Sequence, residues 1–188
     1  MPIATVVSDT SLPEIRVGAR GGGASGGLAF RMEKQQQDNW CWAATTASIA
    51  NFYHPGSGWS QCLLANQEFG QTTCCANGGT PQCNKGGYPD SALRRTGHLD
   101  RMASGAASYS EIAQQVGARR PLGVVIYWDG GGGHFVVAAG YGGARGGGPG
   151  GGKVRVEDPW YGPSQVDYST LVKGYQGAGS WAFAAYTR

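Results

Sequence analysis

At 188 residues the chain is long enough for one domain with a substantial core and short for two. Its formal charge of +3, from 15 basic and 12 acidic residues with no basic stripe interleaved with aromatics, argues against a nucleic-acid surface. The 34 glycines cluster without a Gly-x-y period, which excludes a collagen-like fibre, and no apolar run reaches the length of a membrane-spanning helix.

Residues 1–15 lack a basic stretch followed by an apolar one, so no secretory signal is predicted there. The glycine-rich run 18–27 reads as a flexible join. The expected organisation is a tail or propeptide-like segment over 1–27 and one domain over 28–188. Residues 41–53 read as a helix, with Ala43, Ala47 and Ala50 on one stripe, Ile49 beside it and Pro55-Gly56 ending it. A second helix is predicted over 60–69, stopping at Gly70. Residues 74–87 are irregular, with turn points at the glycine pairs 78–79 and 86–87. Pro89 opens a short helix to residue 95, and Ser108-Tyr109-Ser110-Glu111 is a capping box for a helix ending near Val116.

The hydrophobic period then changes and apolar β runs follow. Strands are predicted over 122–128, 134–141, 153–157 and 180–187, with a turn over 129–133 and a long glycine loop over 142–152. Helices first and antiparallel strands later make an α+β fold in two layers. The predicted lobes are helical over 28–120 and β over 121–188, with the functional cleft between them.

The chemistry centres on Cys41, in the run Gln35-Gln36-Gln37-Asp38-Asn39-Trp40-Cys41-Trp42-Ala43-Ala44. A thiolate at a helix N-terminus is stabilised by unpaired N–H groups and the helix dipole, and an adjacent imidazolium adds to this. Of the three histidines, His134 is the apt partner: it follows four glycines and begins a strand. His54 lies at the far end of the Cys41 helix, roughly 20 Å away by helical rise, and His98 lies after a short helix. Asp158, at the end of the strand after His134, is placed to hold the imidazole in its useful tautomer. Glu157 and Asp129 are its rivals, and an Asx turn ahead of Pro159 is the alternative use of Asp158. A glutamine amide and the Cys41 N–H would stabilise an oxyanion, though spacing does not choose among the three glutamines before Cys41.

With Cys41 free, Cys62, Cys74, Cys75 and Cys83 remain. Disulfides are the expected state, in any of three pairings, and would suit a secreted or translocated protein. Free buried thiols and a zinc site with His98 are the rivals. Adjacent Cys74 and Cys75 are poorly spaced for one tetrahedral ion.

These residues resemble the papain-like cysteine peptidases, and most of all a bacterial branch of effector proteases with Asn-Trp-Cys-Trp-Ala-Ala around the nucleophile. The resemblance covers about residues 28–188. It implies a two-lobed fold with Cys41 as nucleophile, His134 as base, Asp158 as orienting residue and Gln35, six positions before the cysteine, in the oxyanion hole. The segment Cys83-Asn84-Lys85-Gly86-Gly87-Tyr88-Pro89-Asp90-Ser91-Ala92-Leu93 resembles the family's glycine wall, which pairs with an extended substrate. Gly86 and Gly87 are therefore expected to bind substrate. Two departures stand out. Lys85 is an added residue, and no cysteine shortly precedes Cys41 to pair with Cys83, so Cys83 must pair elsewhere, with Cys74 or Cys75, or stay free.

The expected activity is that of a cysteine endopeptidase with a Cys-His-Asp triad and a thioester acyl-enzyme, needing neither metal nor organic cofactor. The expected partner is an extended polypeptide, without nucleic acid or membrane, and the expected state is a monomer. A deamidase, transglutaminase or isopeptidase on the same site is the alternative, followed by a non-catalytic binding module of the same fold.

Overall fold

The computed structural model describes residues 24–143 and 152–188. The predicted tail over 1–27 and the predicted loop over 142–152 therefore lie largely outside the described residues. Helix α1 spans Cys41–Tyr53. It is followed by α2 (Gln61–Phe69), α3 (Pro89–Arg95), strand β2 (Leu99–Ser104) and α4 (Tyr109–Gly117). Strands β3 (Leu122–Trp128), β4 (Gly133–Gly142), β5 (Lys153–Glu157) and β6 (Ser164–Asp167) come next, then α5 (Tyr168–Lys173) and β7 (Gly179–Thr187). A two-residue strand, β1 (Gly26–Gly27), precedes them all.

The local signals act as their chemistry requires. Ser60 caps α2 by accepting from Leu63 N, and Pro89 occupies the first turn of α3. Ser108 and Glu111 cap α4 reciprocally: Ser108 Oγ accepts from Glu111 N and a Glu111 carboxylate oxygen accepts from Ser108 N. At the start of α1, by contrast, Trp40 makes no side-chain cap and no acidic residue occupies the first turn. The positive end of that helix is left uncompensated, with Cys41 on it.

The strands form an antiparallel sheet in the order β2-β7-β3-β4-β5-β6, with β1 added on β4. β3 and β4 form a hairpin whose turn carries Gly131 and Gly132 at φ 91° and 84°. Residues with side chains rarely adopt that backbone, so the glycines before His134 first of all close the turn.

Two cores result. The larger joins the sheet to Ile49 of α1 and Ile112 and Val116 of α4. The smaller packs Trp40, Trp42, Ala43 and Ala47 against Leu64, Ala65, Ala92 and two half-cystines, Cys74 and Cys83. Burying a large aliphatic side chain contributes about 1.5–3 kcal/mol, and the sheet core holds many. This is the α+β, two-lobed architecture expected, with a helix-rich N-terminal region and a C-terminal antiparallel sheet.

Four elements differ from expectation. β2 lies inside the segment predicted to be helical and forms the edge of the sheet beside β7. β1 lies within the predicted tail: Gly26 pairs with Tyr141 and Gly27 with Gly140. β6 and α5 were not predicted.

Disulfides join Cys62 to Cys75 and Cys74 to Cys83, and Cys41 is the free cysteine. The neighbours Cys74 and Cys75 thus reach in different directions, which removes both the zinc and the free-thiol alternatives for these four residues. Among the described residues no group of three or more His, Cys, Asp or Glu is placed to hold a metal, and no helix is long and apolar enough to cross a membrane.

Candidate active site

Cys41, on the first residue of α1, and His134, on the second residue of β4, face one another across a cleft of about 590 Å³. The cleft is bounded on one side by Gly86, Gly87 and Tyr88 and on the other by Trp160 and Tyr161. Cys41 is partly exposed and lines the cleft together with His134. The ring nitrogen Nε2 of His134 donates to Asp158 Oδ2 at 2.9 Å. The sequence therefore brings together three of its candidates in the order thiol, imidazole, carboxylate.

Burial opposes a charge on His134. Hydrogen bonds to Asp158 and Cys41, and the charges of those groups, outweigh it and raise the imidazole from 6.5 to about 9. Burial likewise pushes the Asp158 carboxyl up. The imidazole, the Tyr161 N–H and the Tyr175 hydroxyl together overcome this and hold it below its ordinary range. Trp128 stacks near His134 with ring centroids 5.8 Å apart, and Tyr161 meets the ring edge-on.

Asp158 has two uses rather than one. Oδ2 serves His134, while Oδ1 accepts from the backbone N–H groups of Trp160 at 2.7 Å and Tyr161 at 2.9 Å. The Asx turn and the contact with the imidazole coexist on the same side chain. Its two rivals are elsewhere: Glu157 accepts from Arg155 Nε at 2.8 Å, and Asp129 is exposed in the hairpin turn.

Gln35 is buried beside the cleft, and its backbone N–H donates to the Pro159 carbonyl at 3.0 Å. Its side-chain Nε2 donates to the carbonyls of Gln37 and Asp38, both at 2.8 Å. Both amide protons are engaged, and Oε1 has no partner. The Cys41 N–H lies at the uncapped helix start. The segment holding Gln35 is fixed by a residue the sequence did not reveal, Gln61 of α2. Its Oε1 accepts from Gln36 N and its Nε2 donates to the Lys34 carbonyl.

The glycine wall is built on the nucleophile's own flanks. Trp40 Nε1 donates to the Cys83 carbonyl at 2.8 Å, and Trp42 Nε1 donates to the Lys85 carbonyl at 3.1 Å. A Cβ on Gly87 would fall 2.5 Å from the Trp42 indole, so this position is glycine first because of Trp42. A Cβ on Gly86 would meet nothing.

The fold and the matched family define the class: a cysteine protease, and so a hydrolase, of papain-like two-lobed architecture. More particularly, the sequence profile of the papain-like cysteine protease AvrRpt2 family matches residues 24–175, and the chain belongs to that family. No curated protein matches the chain. Among solved structures it is similar to the crystal structure of a double glycine motif protease from an AMS/PCAT transporter in complex with the leader peptide. The identity is 15%, the TM-score 0.46, and 86% of this chain and 94% of that chain are covered.

Proposed function

We propose that the protein is an endopeptidase that cleaves extended polypeptides through a Cys41-His134-Asp158 triad. The observation that carries this reading is that His134 shares the cleft with the free Cys41 and gives its Nε2 to Asp158 Oδ2 at 2.9 Å.

In this reading the Cys41 thiolate attacks a peptide carbonyl while His134, as imidazolium, protonates the leaving amine. Water then resolves the thioester with His134 as base. Asp158 holds the ring so that the nitrogen opposite its own contact faces the thiol. The Cys41 N–H and Gln35 stabilise the oxyanion, Gln35 by releasing one of its two loop carbonyls when substrate arrives. Gly86 and Gly87 offer the substrate backbone an unobstructed edge. No step calls on a metal or organic cofactor, and a monomer contains every group named.

The test is intact-mass labelling of the full chain with a peptidyl thiol-reactive inhibitor, beside Cys41→Ala and His134→Ala. The expected result is one adduct, confined to Cys41 and slowed at least about 10²-fold without His134. An adduct that forms equally fast in His134→Ala would overturn the reading.

A further inference from the structure

We propose that Tyr175 is a positioning residue for the triad: its hydroxyl clamps Asp158 Oδ2 so that the carboxylate meets His134 in one orientation. The inference rests on the reading of His134 and Asp158 given above. Tyr175 Oη donates to Asp158 Oδ2 at 2.7 Å, the same oxygen that accepts from His134 Nε2 at 2.9 Å. Both residues are sealed from water, with Tyr175 0% and Asp158 2% exposed.

The backbone delivers Tyr175 to this point deliberately in the physical sense. The turn between α5 and β7 places Gln176 and Gly177 at φ 51° and 83°, and Tyr175 and Gly179 exchange backbone hydrogen bonds across it. The Tyr175 ring stacks near Trp128, which itself stacks near His134. With Oδ1 fixed by two backbone N–H groups and Oδ2 by a phenol, the carboxylate cannot rotate about its Cβ–Cγ bond without losing several hydrogen bonds. An ordinary core tyrosine needs a partner for its hydroxyl, but not this oxygen.

Three titratable groups stand around the His134–Asp158 pair: Cys41 from α1, Tyr161 from the segment after β5, and Tyr175 from the turn before β7. Trp128 of β3 closes the remaining side without charge. A donor on Oδ2 competes with the imidazolium for the same electron density. Weakening it therefore strengthens the hold of Asp158 on charged His134, and strengthening it does the reverse.

The experiment follows the His134 Cε1–H resonance of the full chain from pH 5 to 11, beside the rate of Cys41 alkylation by iodoacetamide. It compares wild type, Tyr175→Phe and a variant with 3-fluorotyrosine at position 175. The fluorinated phenol has nearly the same shape and donates more strongly, so it keeps the test alive if the Phe variant does not fold. The His134 midpoint is expected to rise by roughly half a pH unit in Tyr175→Phe and to fall in the fluorotyrosine protein, with the pH profile of alkylation shifted in the same direction in each. Midpoints and alkylation profiles that superimpose on wild type in every folded variant would overturn the proposal and leave the triad reading intact. A wild-type alkylation rate indifferent to His134 titration would instead sink the triad reading.

Discussion

Thr45 Oγ1 donates a 2.7 Å hydrogen bond to the Phe135 carbonyl oxygen, tying the helix that carries Cys41 to the strand that carries His134. Thr45 lies one helical turn after Cys41, and Phe135 directly follows His134. Both partners are buried, so water does not compete for the bond. Thr45→Val keeps the shape and removes the donor. It is expected to destabilise the fold by about 1–3 kcal/mol in urea unfolding and to slow Cys41 alkylation. Thr45→Ser, which keeps the hydroxyl, is expected to retain most of both. A Val variant as stable and reactive as wild type would show that the bond does not set the register.

The raised His134 fixes a pH window. Its charged form is favoured by folding, so the stabilisation it gives is fully present below about 6.5 and is lost as pH rises through about 9. Activity is expected to fall along the same alkaline limb, because an uncharged imidazole has no proton for the leaving amine. Asp158 has the opposite sign: its contribution is present above its ordinary 3.8 and is lost as pH falls below that value. Urea unfolding across this range, beside a pH–rate profile, checks both limbs. An alkaline limb near pH 6.5 would contradict the His134 environment described.

The two wall glycines should part company on substitution. Gly87→Ala must displace Trp42 or the wall, and a strained contact of this kind costs about 1–3 kcal/mol. Gly86→Ala has open space around it and should leave unfolding unchanged while raising KM for a peptide substrate. Equal thermal stability of the two variants would argue that the wall is more yielding than its contacts suggest.

The disulfides hold that wall from behind. Cys83 begins it and is bonded to Cys74, while Cys75 is bonded to Cys62 of α2. Replacing Cys74 and Cys83 together by serine is expected to cost about 2–4 kcal/mol and to weaken peptide binding more than it slows alkylation of Cys41 by a small reagent. Calorimetry and the two rate measurements separate these effects. A pair variant that loses both rates in proportion would mean the helical lobe as a whole had loosened.

Much of this was legible because the signals were local. The caps at Ser60 and Ser108, Pro89 and the continuous apolar runs around Val124 and Val136 each dictate their element from a few adjacent residues. β2 was not legible: Leu99, Asp100, Arg101 and Met102 have neither β-branched side chains nor clean alternation, because an edge strand needs only one partner, here β7. β1 has no side chains with which to signal. Tyr175 and Gln61 act on segments distant in sequence, and a lone tyrosine or glutamine carries no mark of its partner. Gln35 stood apart from its neighbours only by resemblance, and the engagement of both its amide protons has no counterpart in the sequence.

Asp158 gives one oxygen to the imidazole and the other to the backbone that presents Trp160 and Tyr161, which are 49% and 56% exposed at the mouth of the cleft. The centre and its rim are thus fastened by one rivet. Acid that protonates this carboxyl should blunt the chemistry and slacken the aromatic lip in the same step. A fall in activity at low pH should therefore be shadowed by a change in the emission of Trp160, and the enzyme should lose its grip on substrate together with its reactivity.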